Sequence, residues 1–376
     1  MARRKVMFVL LTLGGGGVGR LASLLLEHLE RERFEPCVAL LEHRGRYPLP
    51  LDIPSACFHK KSRYDLPRLI WQLARAYDKE KPDVVLSFMN YTNLIAVLAR
   101  RLSRNKPRLL LSEHGYLSIE FTEFKEFKRD PLSRFKGWAI PWLYPQSDGI
   151  VCVSQGVADD LVANFRVPRD KINVIYNPAD IDYILTQAGE NVEYPWFAQK
   201  ELPIIIAIGR LTAQKGYPYL LKAFAQVTAN FPCRLVILGE GRERVPLEEL
   251  AQELGVEKDV AFLGFQENPF KYLARSDFFV LSSLWEGFGN VIIEAMACGT
   301  PVIATRCPSG PDEIITDGVN GLLVPVSDEA ALVVAIWQLL NEKDFASKLA
   351  QAGRKRAEDF AIDRIAKQYQ ELFWPQ

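Results

Sequence analysis

The stretch from Ser282 to Thr300, SSLWEGFGNVIIEAMACGT, constrains the fold more than any other part of this 376-residue chain. Asp277 to Leu281 before it is a short apolar run of the kind buried in a parallel sheet. Gly287-Phe288-Gly289 then makes a break that no helix would tolerate in its middle, and Asn290 to Cys298 resumes with helical periodicity. Gly289 or Asn290 can cap that helix, which leaves Glu286 on the loop and Glu294 about one turn in. Strand, loop and helix in this order present backbone N–H groups above the sheet edge, a setting for an anion or a ligand rich in hydroxyls. A carboxylate one turn in can accept two hydrogen bonds from the vicinal hydroxyls of a ribose, and a loop carboxylate can do the same for a sugar ring. Taken alone, the pair has a plainer alternative, in which Glu294 complements the helix dipole and Glu286 is solvated.

The chain is too long for one ordinary core and suggests two domains of about 150 to 200 residues each. With 48% apolar and 24% charged residues it has the composition of a soluble globular protein. Net charge is zero, yet residues 1–180 carry 28 Lys and Arg against 20 Asp and Glu, and the remainder reverses the balance. A basic first half could meet phosphates or an anionic surface, or the split could have no partner at all. Cys37, Cys57, Cys152, Cys233, Cys298 and Cys307 lie far apart with no CxxC pair, which suits free thiols in a reducing compartment and disfavours a zinc site. Arg3-Arg4-Lys5 followed by Val6 to Leu13 imitates a signal peptide, but the apolar core is short and no A-x-A site follows. That run reads as a first buried strand. No apolar run approaches the ~18 residues of a membrane span, so a cytoplasmic protein, peripheral on a membrane at most, is expected.

Val6 to Leu13 leads into Gly14-Gly15-Gly16-Gly17-Val18-Gly19 and then a helical stretch, an order that brings backbone N–H groups against a phosphate. Glycines 14, 16 and 19 also fit the dinucleotide pattern G-x-G-x-x-G, with Glu42 placed as a ribose-binding acid, so an NAD(P)-dependent oxidoreductase is a rival reading. Four consecutive glycines suit a loop closing over a ligand as well. Strand-like and helical segments alternate onward, which indicates a parallel sheet whose ligands sit beyond the carboxyl ends of the strands. There the chain reads Ser112-Glu113-His114-Gly115, and His114 is placed to meet a ligand hydroxyl or to serve the structure alone. Residues 119–144 depart from the pattern by interleaving Phe, Trp and Tyr with Lys125, Lys128, Arg129, Arg134 and Lys136. Such a stretch suits an anionic membrane surface, and an ordinary helical hairpin would serve equally. Nucleic acid is not expected, because no recognised binding motif accompanies the cations.

The second half repeats the scheme. Pro203 to Ile208 is its first strand, and Gly209-Arg210-Leu211-Thr212-Ala213-Gln214-Lys215-Gly216 carries two cations ahead of a helix. Two cations and a helix N-terminus can hold a diphosphate and stabilise the charge that grows on it as it leaves. No Asp-x-Asp motif supplies a metal for that purpose, and none is expected. Gly264-Phe265-Gln266 ends another strand, where backbone groups could pair with the edge of a base.

From near Val6 to the C-terminus the chain resembles the retaining glycosyltransferases of the GT-B fold, family 4. The glycine loop 14–17, SEHG at 112–115, GRLTAQKG at 209–216, EGFGNVIIEAMACGTPVIAT at 286–305 and DGVNGLLVP at 317–325 carry the resemblance. It implies two Rossmann-like α/β domains facing a cleft, here 1–180 for the acceptor and 181–360 for the nucleotide sugar, with 361–376 a helix crossing back to the first. It further implies that Arg210 and Lys215 hold the nucleotide diphosphate, Glu294 the ribose, and Phe265 the base through its backbone. Glu286 and the backbone of Phe288, Gly289, Asn290 and Val291 would hold the donor sugar, His114 one of its hydroxyls, and Gly16 or Gly17 the phosphates. Arg210, Lys215, Glu286 and His114 would be the catalytic groups, without metal or cofactor. Where the family often has a Glu-Arg pair after its glycines, this chain has Val18-Gly19-Arg20. Ser309-Gly310-Pro311 resembles members using UDP-hexoses or UDP-N-acetylhexosamines, and the expected acceptor is a saccharide or a polyprenyl-diphosphate-linked saccharide. A non-catalytic nucleotide-sugar-binding protein would show the same motifs.

Overall fold

Apolar runs too short for helices, most of them followed by a glycine or a polar turn, form the strands of two separate parallel sheets. The computed structural model describes residues 3–14, 16–42, 45, 49–62, 65–122 and 131–374. The chain divides into two units, residues 1–178 with 362–376, and residues 179–361. In the first unit β1 (Arg4–Leu10), β2 (Phe34–Leu40), β3 (Ser55–Cys57), β4 (Val84–Phe88), β5 (Arg108–Glu113), β6 (Gly149–Cys152) and β7 (Ile172–Val174) lie in the order β3-β2-β1-β4-β5-β6-β7. Every pairing is parallel. β4 and β6 are buried along their whole length, as strands covered by helices on both faces must be.

The chain runs outward from β1 to β3 and then returns to the other side of β1 as β4. The strand order therefore reverses between β1 and β4, and a crevice opens beyond their carboxyl ends. The strand expected over Val6 to Leu13 ends at Leu10, because pairing with β4 stops at Val9 and Ser87. On its other side Leu10 and Leu11 still accept from the N–H groups of Leu41 and Glu42. The helix Ile362–Phe373 belongs to this unit, burying Ile365, Tyr369 and Phe373 in the same core as Phe8 and Phe34. Phe373 meets both rings edge-on, at 6.2 and 5.9 Å.

The second unit repeats the plan with six strands, β8 (Ile204–Ile208), β9 (Arg234–Leu238), β10 (Val260–Gly264), β11 (Phe278–Leu281), β12 (Val302–Thr305) and β13 (Leu322–Val324). Their order is β10-β9-β8-β11-β12-β13, again all parallel, so the reversal falls between β8 and β11. Of the stretch 119–144, Leu117–Thr122 and Pro131–Leu143 are helices, whereas Lys125, Lys128 and Arg129 lie outside the described residues. Among the described residues no helix is long and apolar enough to cross a membrane.

Candidate active site

Because the second sheet reverses between β8 and β11, the loop after β8 and the turn after β11 lie side by side although some seventy residues separate them in sequence. The loop, residues 209–216, is fixed from both sides. Towards β9, Gly209 N–H donates to Leu238 O at 3.0 Å and Leu211 N–H to Glu240 O at 2.9 Å. Towards the turn, Leu284 N–H donates to Gln214 O (2.8 Å), Gln214 Nε2 to Trp285 O (2.9 Å) and Ser282 Oγ to Lys215 O (2.8 Å). Gly216, at φ +60°, passes so close to the turn that a Cβ would lie 2.1 Å from Ser282 O. This seating folds the Lys215 side chain back over Gly209, where its Cε is 2.9 Å from the position a Cβ would take. Its Nζ bonds Glu286 Oε1 at 2.5 Å with both side chains largely buried, and Ser283 Oγ donates to the same oxygen at 2.6 Å. Arg210, next to Gly209, is exposed.

The turn is held from behind by the chain that follows β12. Thr305 Oγ1 donates to Ser283 O at 2.5 Å and Ser309 Oγ to Gly287 O at 2.9 Å. Gly310 passes Phe288 O at a distance where a Cβ would come within 2.0 Å. Phe288 is buried edge-on against Phe360 at 5.7 Å, so the donor role expected for it could only be a backbone one. Gly289 caps the helix Asn290–Ala297, and Glu294 follows one turn in, half-buried. Gly239 N–H donates to Gly264 O at 2.8 Å, which ties the end of β10 to that of β9 and sets Phe265, half-exposed, on the same sheet edge. One edge thus collects Arg210, Lys215, Phe265, Glu286, the backbone of Phe288, Gly289, Asn290 and Val291, and Glu294. An exposed guanidinium, an ammonium and a helix N-terminus on one edge suit a diphosphate, with carboxylates beside them for hydroxyls.

His114, Gly16 and Gly17 belong to the first unit. Gly16 and Gly17 open the helix Gly17–Glu27 in exposed positions at the carboxyl end of β1. His114 follows β5 with its ring stacked on Phe88 at 6.0 Å and its Nε2 2.9 Å from Ser112 Oγ. Burial pushes the imidazole down to about 3, so near neutrality it is uncharged and fit to hydrogen-bond a hydroxyl rather than to carry a charge.

Sequence reasoning passed over Glu113. Its carboxyl is fully buried and accepts from His114 N–H (3.0 Å) and Gly115 N–H (3.4 Å) through Oε1, and from Tyr144 Oη (2.6 Å) through Oε2. Asn93 Nδ2 in turn donates to Tyr144 Oη at 3.2 Å and to Ser112 O at 3.1 Å. Glu113 therefore orients the backbone that carries His114. Desolvation raises it to about 7 against these three donors, with Glu120 adding to the rise. A single acid closing an apolar strand is the one signal that could have marked it. Ser283 and Gln214, which fix Glu286 and the loop, carry no signal of their own because their partners lie seventy residues distant or in a turn.

Comparison with known proteins bears on this geometry. A model described as Glycosyltransferase Family 4 matches residues 15–183, and one described as Glycosyl transferases group 1 matches residues 193–356. A Campylobacter jejuni relative, N-acetylgalactosamine-N,N'-diacetylbacillosaminyl-diphospho-undecaprenol 4-alpha-N-acetylgalactosaminyltransferase, is 31% identical over 371 residues, covering 97% of this chain and 98% of its own. The lipopolysaccharide core biosynthesis glycosyltransferase LpsE of Rhizobium meliloti is 33% identical over 72% of this chain and 76% of its own. Anabaena HepE, solved with UDP and glucose, superposes with a TM-score of 0.84 at 21% identity over 98% of this chain and 99% of its own. The two parallel α/β units and this structural likeness define the GT-B fold, and the family models with the Campylobacter relative define a glycosyltransferase. The chain belongs to glycosyltransferase family 4. The nicotinamide reading of the glycine loop falls with that assignment, and the acid it relied on, Glu42, is bonded to Lys60 Nζ at 2.5 Å.

Proposed function

We propose that this enzyme moves a hexose or N-acetylhexosamine from a UDP-sugar to a lipid-linked saccharide, with retention of anomeric configuration and without a metal ion. The observation that carries the reading is the seating of Lys215 over Gly209, beside Arg210 and bonded to Glu286. The Campylobacter relative, whose name states an undecaprenyl-diphosphate-linked acceptor and a transferred N-acetylgalactosamine, and HepE, solved with UDP and glucose, support the acceptor and donor classes. In this reading Lys215 keeps Glu286 neutralised while no donor is bound. An arriving diphosphate takes the ammonium, and the released carboxylate accepts hydroxyls of the donor sugar. Glu294 holds the ribose, the Phe265 backbone the base, and the backbone from Phe288 to Val291 the sugar. Gly16 or Gly17 meets the phosphates, and neutral His114 bonds a sugar hydroxyl. As the bond from the anomeric carbon to the diphosphate oxygen breaks, the acceptor oxygen bonds the same face and its proton passes to the leaving diphosphate. Arg210 and Lys215 meet the charge that develops there.

Thermal melting with UDP, GDP and ADP, followed by transfer assays from UDP-sugars to an undecaprenyl-diphosphate-linked saccharide, tests the reading. UDP at 100 times its dissociation constant should stabilise the protein by about 2.7 kcal/mol. Arg210→Ala or Lys215→Ala should abolish most of that shift and lower kcat by about 100-fold, near 3 kcal/mol. Turnover should survive EDTA. A shift with GDP or ADP but none with UDP would overturn the donor assignment, and loss of turnover in EDTA would overturn the metal-free mechanism.

A further inference from the structure

The helix Pro131–Leu143 turns its largest side chains the wrong way for a soluble protein. Phe135, Trp138 and Trp142 share one helical face and are 42%, 67% and 68% exposed, whereas Ser133 and Ile140 on the opposite face, and Ala139 and Leu143 along one side, are buried. The Phe135 and Trp138 rings lie 6.2 Å apart, and Trp142 follows Trp138 one turn on along the same face. Other aromatic residues of the same stretch are committed inward: Tyr144 is fully buried, and Phe121 packs edge-on to Phe165 at 6.1 Å. The structure thus divides the described aromatics of residues 119–144 into packing residues and a solvent-facing stripe, a division that sequence alone does not make.

Cations rim the stripe. The end of the helix Asn90–Leu102 lies against it, with Arg101 Nε donating to Gln146 Oε1 at 2.7 Å and Gln146 Nε2 to Trp142 O at 2.6 Å. Arg101, Arg104 and Lys106 are exposed there, and Arg134 is exposed on the aromatic helix itself. Two acids lie nearby, Asp148 bonded to Arg100 at 2.8 Å and Asp78 bonded to Ser103 Oγ and to the N–H groups of Arg104 and Asn105, and the four exposed cations leave the rim positive. At the other end Lys136 Nζ donates to Asn90 Oδ1 at 3.0 Å, beside the carboxyl end of β4. The stripe therefore starts from the sheet edge that carries His114 and runs down the flank of the same unit.

We infer that this face docks on an anionic lipid surface, with Phe135, Trp138 and Trp142 seated among the headgroups and Arg101, Arg104, Lys106 and Arg134 over lipid phosphates. Amphipathic tryptophan rings settle at that depth, and cations near it are drawn to anionic headgroups. A second copy of the chain is a poorer occupant, because a twofold contact would set one positive rim against another. The inference stands apart from the identity of the donor, and it would place the first unit where a lipid-linked acceptor is met.

Flotation with vesicles of phosphatidylcholine containing one third phosphatidylglycerol tests it. The full-length protein should bind these and not pure phosphatidylcholine, and high salt should weaken the binding. Trp138→Ala with Trp142→Ala, or Arg101→Glu with Arg104→Glu, should weaken it about tenfold or more. Should the alanine variant fail to fold, the milder Trp138→Phe with Trp142→Phe decides. Brominated lipid should quench the fluorescence of the wild type, and that quenching should disappear in the phenylalanine variant. Unchanged binding in folded variants, or quenching unchanged by the phenylalanine substitutions, overturns the proposal. So would self-association without lipid that the tryptophan substitutions abolish, combined with no vesicle binding.

Discussion

Glu113 and Glu286 are both buried carboxyls at the carboxyl ends of strands, and their neighbours separate them. Glu286 has an ammonium and a hydroxyl on one oxygen, whereas the groups that bond Glu113, two N–H groups and a phenol, are all uncharged. Without a cation, desolvation dominates and Glu113 titrates at about 7, above the ordinary 4.5. The folded state then favours the protonated form. That contribution is complete below about pH 4.5 and is lost as pH rises through about 7, a change of about 3 kcal/mol. Glu113→Gln should flatten this part of the stability profile, which a melting series across that pH range measures against wild type. Parallel profiles would show that Glu113 is ionised throughout. The sequence drew attention to His114 in the same motif, because an imidazole at a strand end is conspicuous. It gave no reason to prefer Glu113, whose importance comes from Tyr144, thirty-one positions away.

At the level of elements, the proposed donor site depends on how closely the loop 209–216 sits against the turn that follows β11. Gly216 is the point of closest approach and has a positive φ, so a side chain there is both strained and blocked by Ser282 O. Gly216→Ala should cost about 3 kcal/mol and remove the stabilisation by UDP. Gly255→Ala separates the two causes, because Gly255 has φ +70° but nothing within 4 Å of its Cβ position. It should cost about 1 kcal/mol and leave UDP binding intact. Melting of both variants with and without UDP checks the pair. Most elements were legible from apolar runs and glycine breaks. The strand β3 was not, because Ser55, Ala56 and Cys57 form an edge strand of three residues with no apolar alternation.

For the whole molecule, chain order and domain membership part company at the C-terminus. Residues 362–376 follow the second unit in sequence yet belong to the first, where Ile365, Tyr369 and Phe373 fill its core and Arg4 Nη1 donates to Phe373 O at 2.9 Å. Deleting them would uncover Phe8 and Phe34 and forgo the burial of three large side chains, about 2 kcal/mol each. The truncated protein should lose the cooperative melting of its first unit and be cleaved within residues 3–178 under limited proteolysis. Transfer activity should disappear with it. Alternating apolar runs, glycine breaks and the spacing of Arg210, Lys215, Glu286 and Glu294 determined the fold class and singled out the residues proposed to hold the donor, because strand burial and helix capping are local effects of sequence. Tertiary structure alone decided that Lys215 bonds Glu286, that Glu113 lies beneath His114, and that Phe135, Trp138 and Trp142 face outward. Those outcomes depend on which strand ends become neighbours at a reversal of the sheet and which face of a helix meets the core, and neither is written in any one segment.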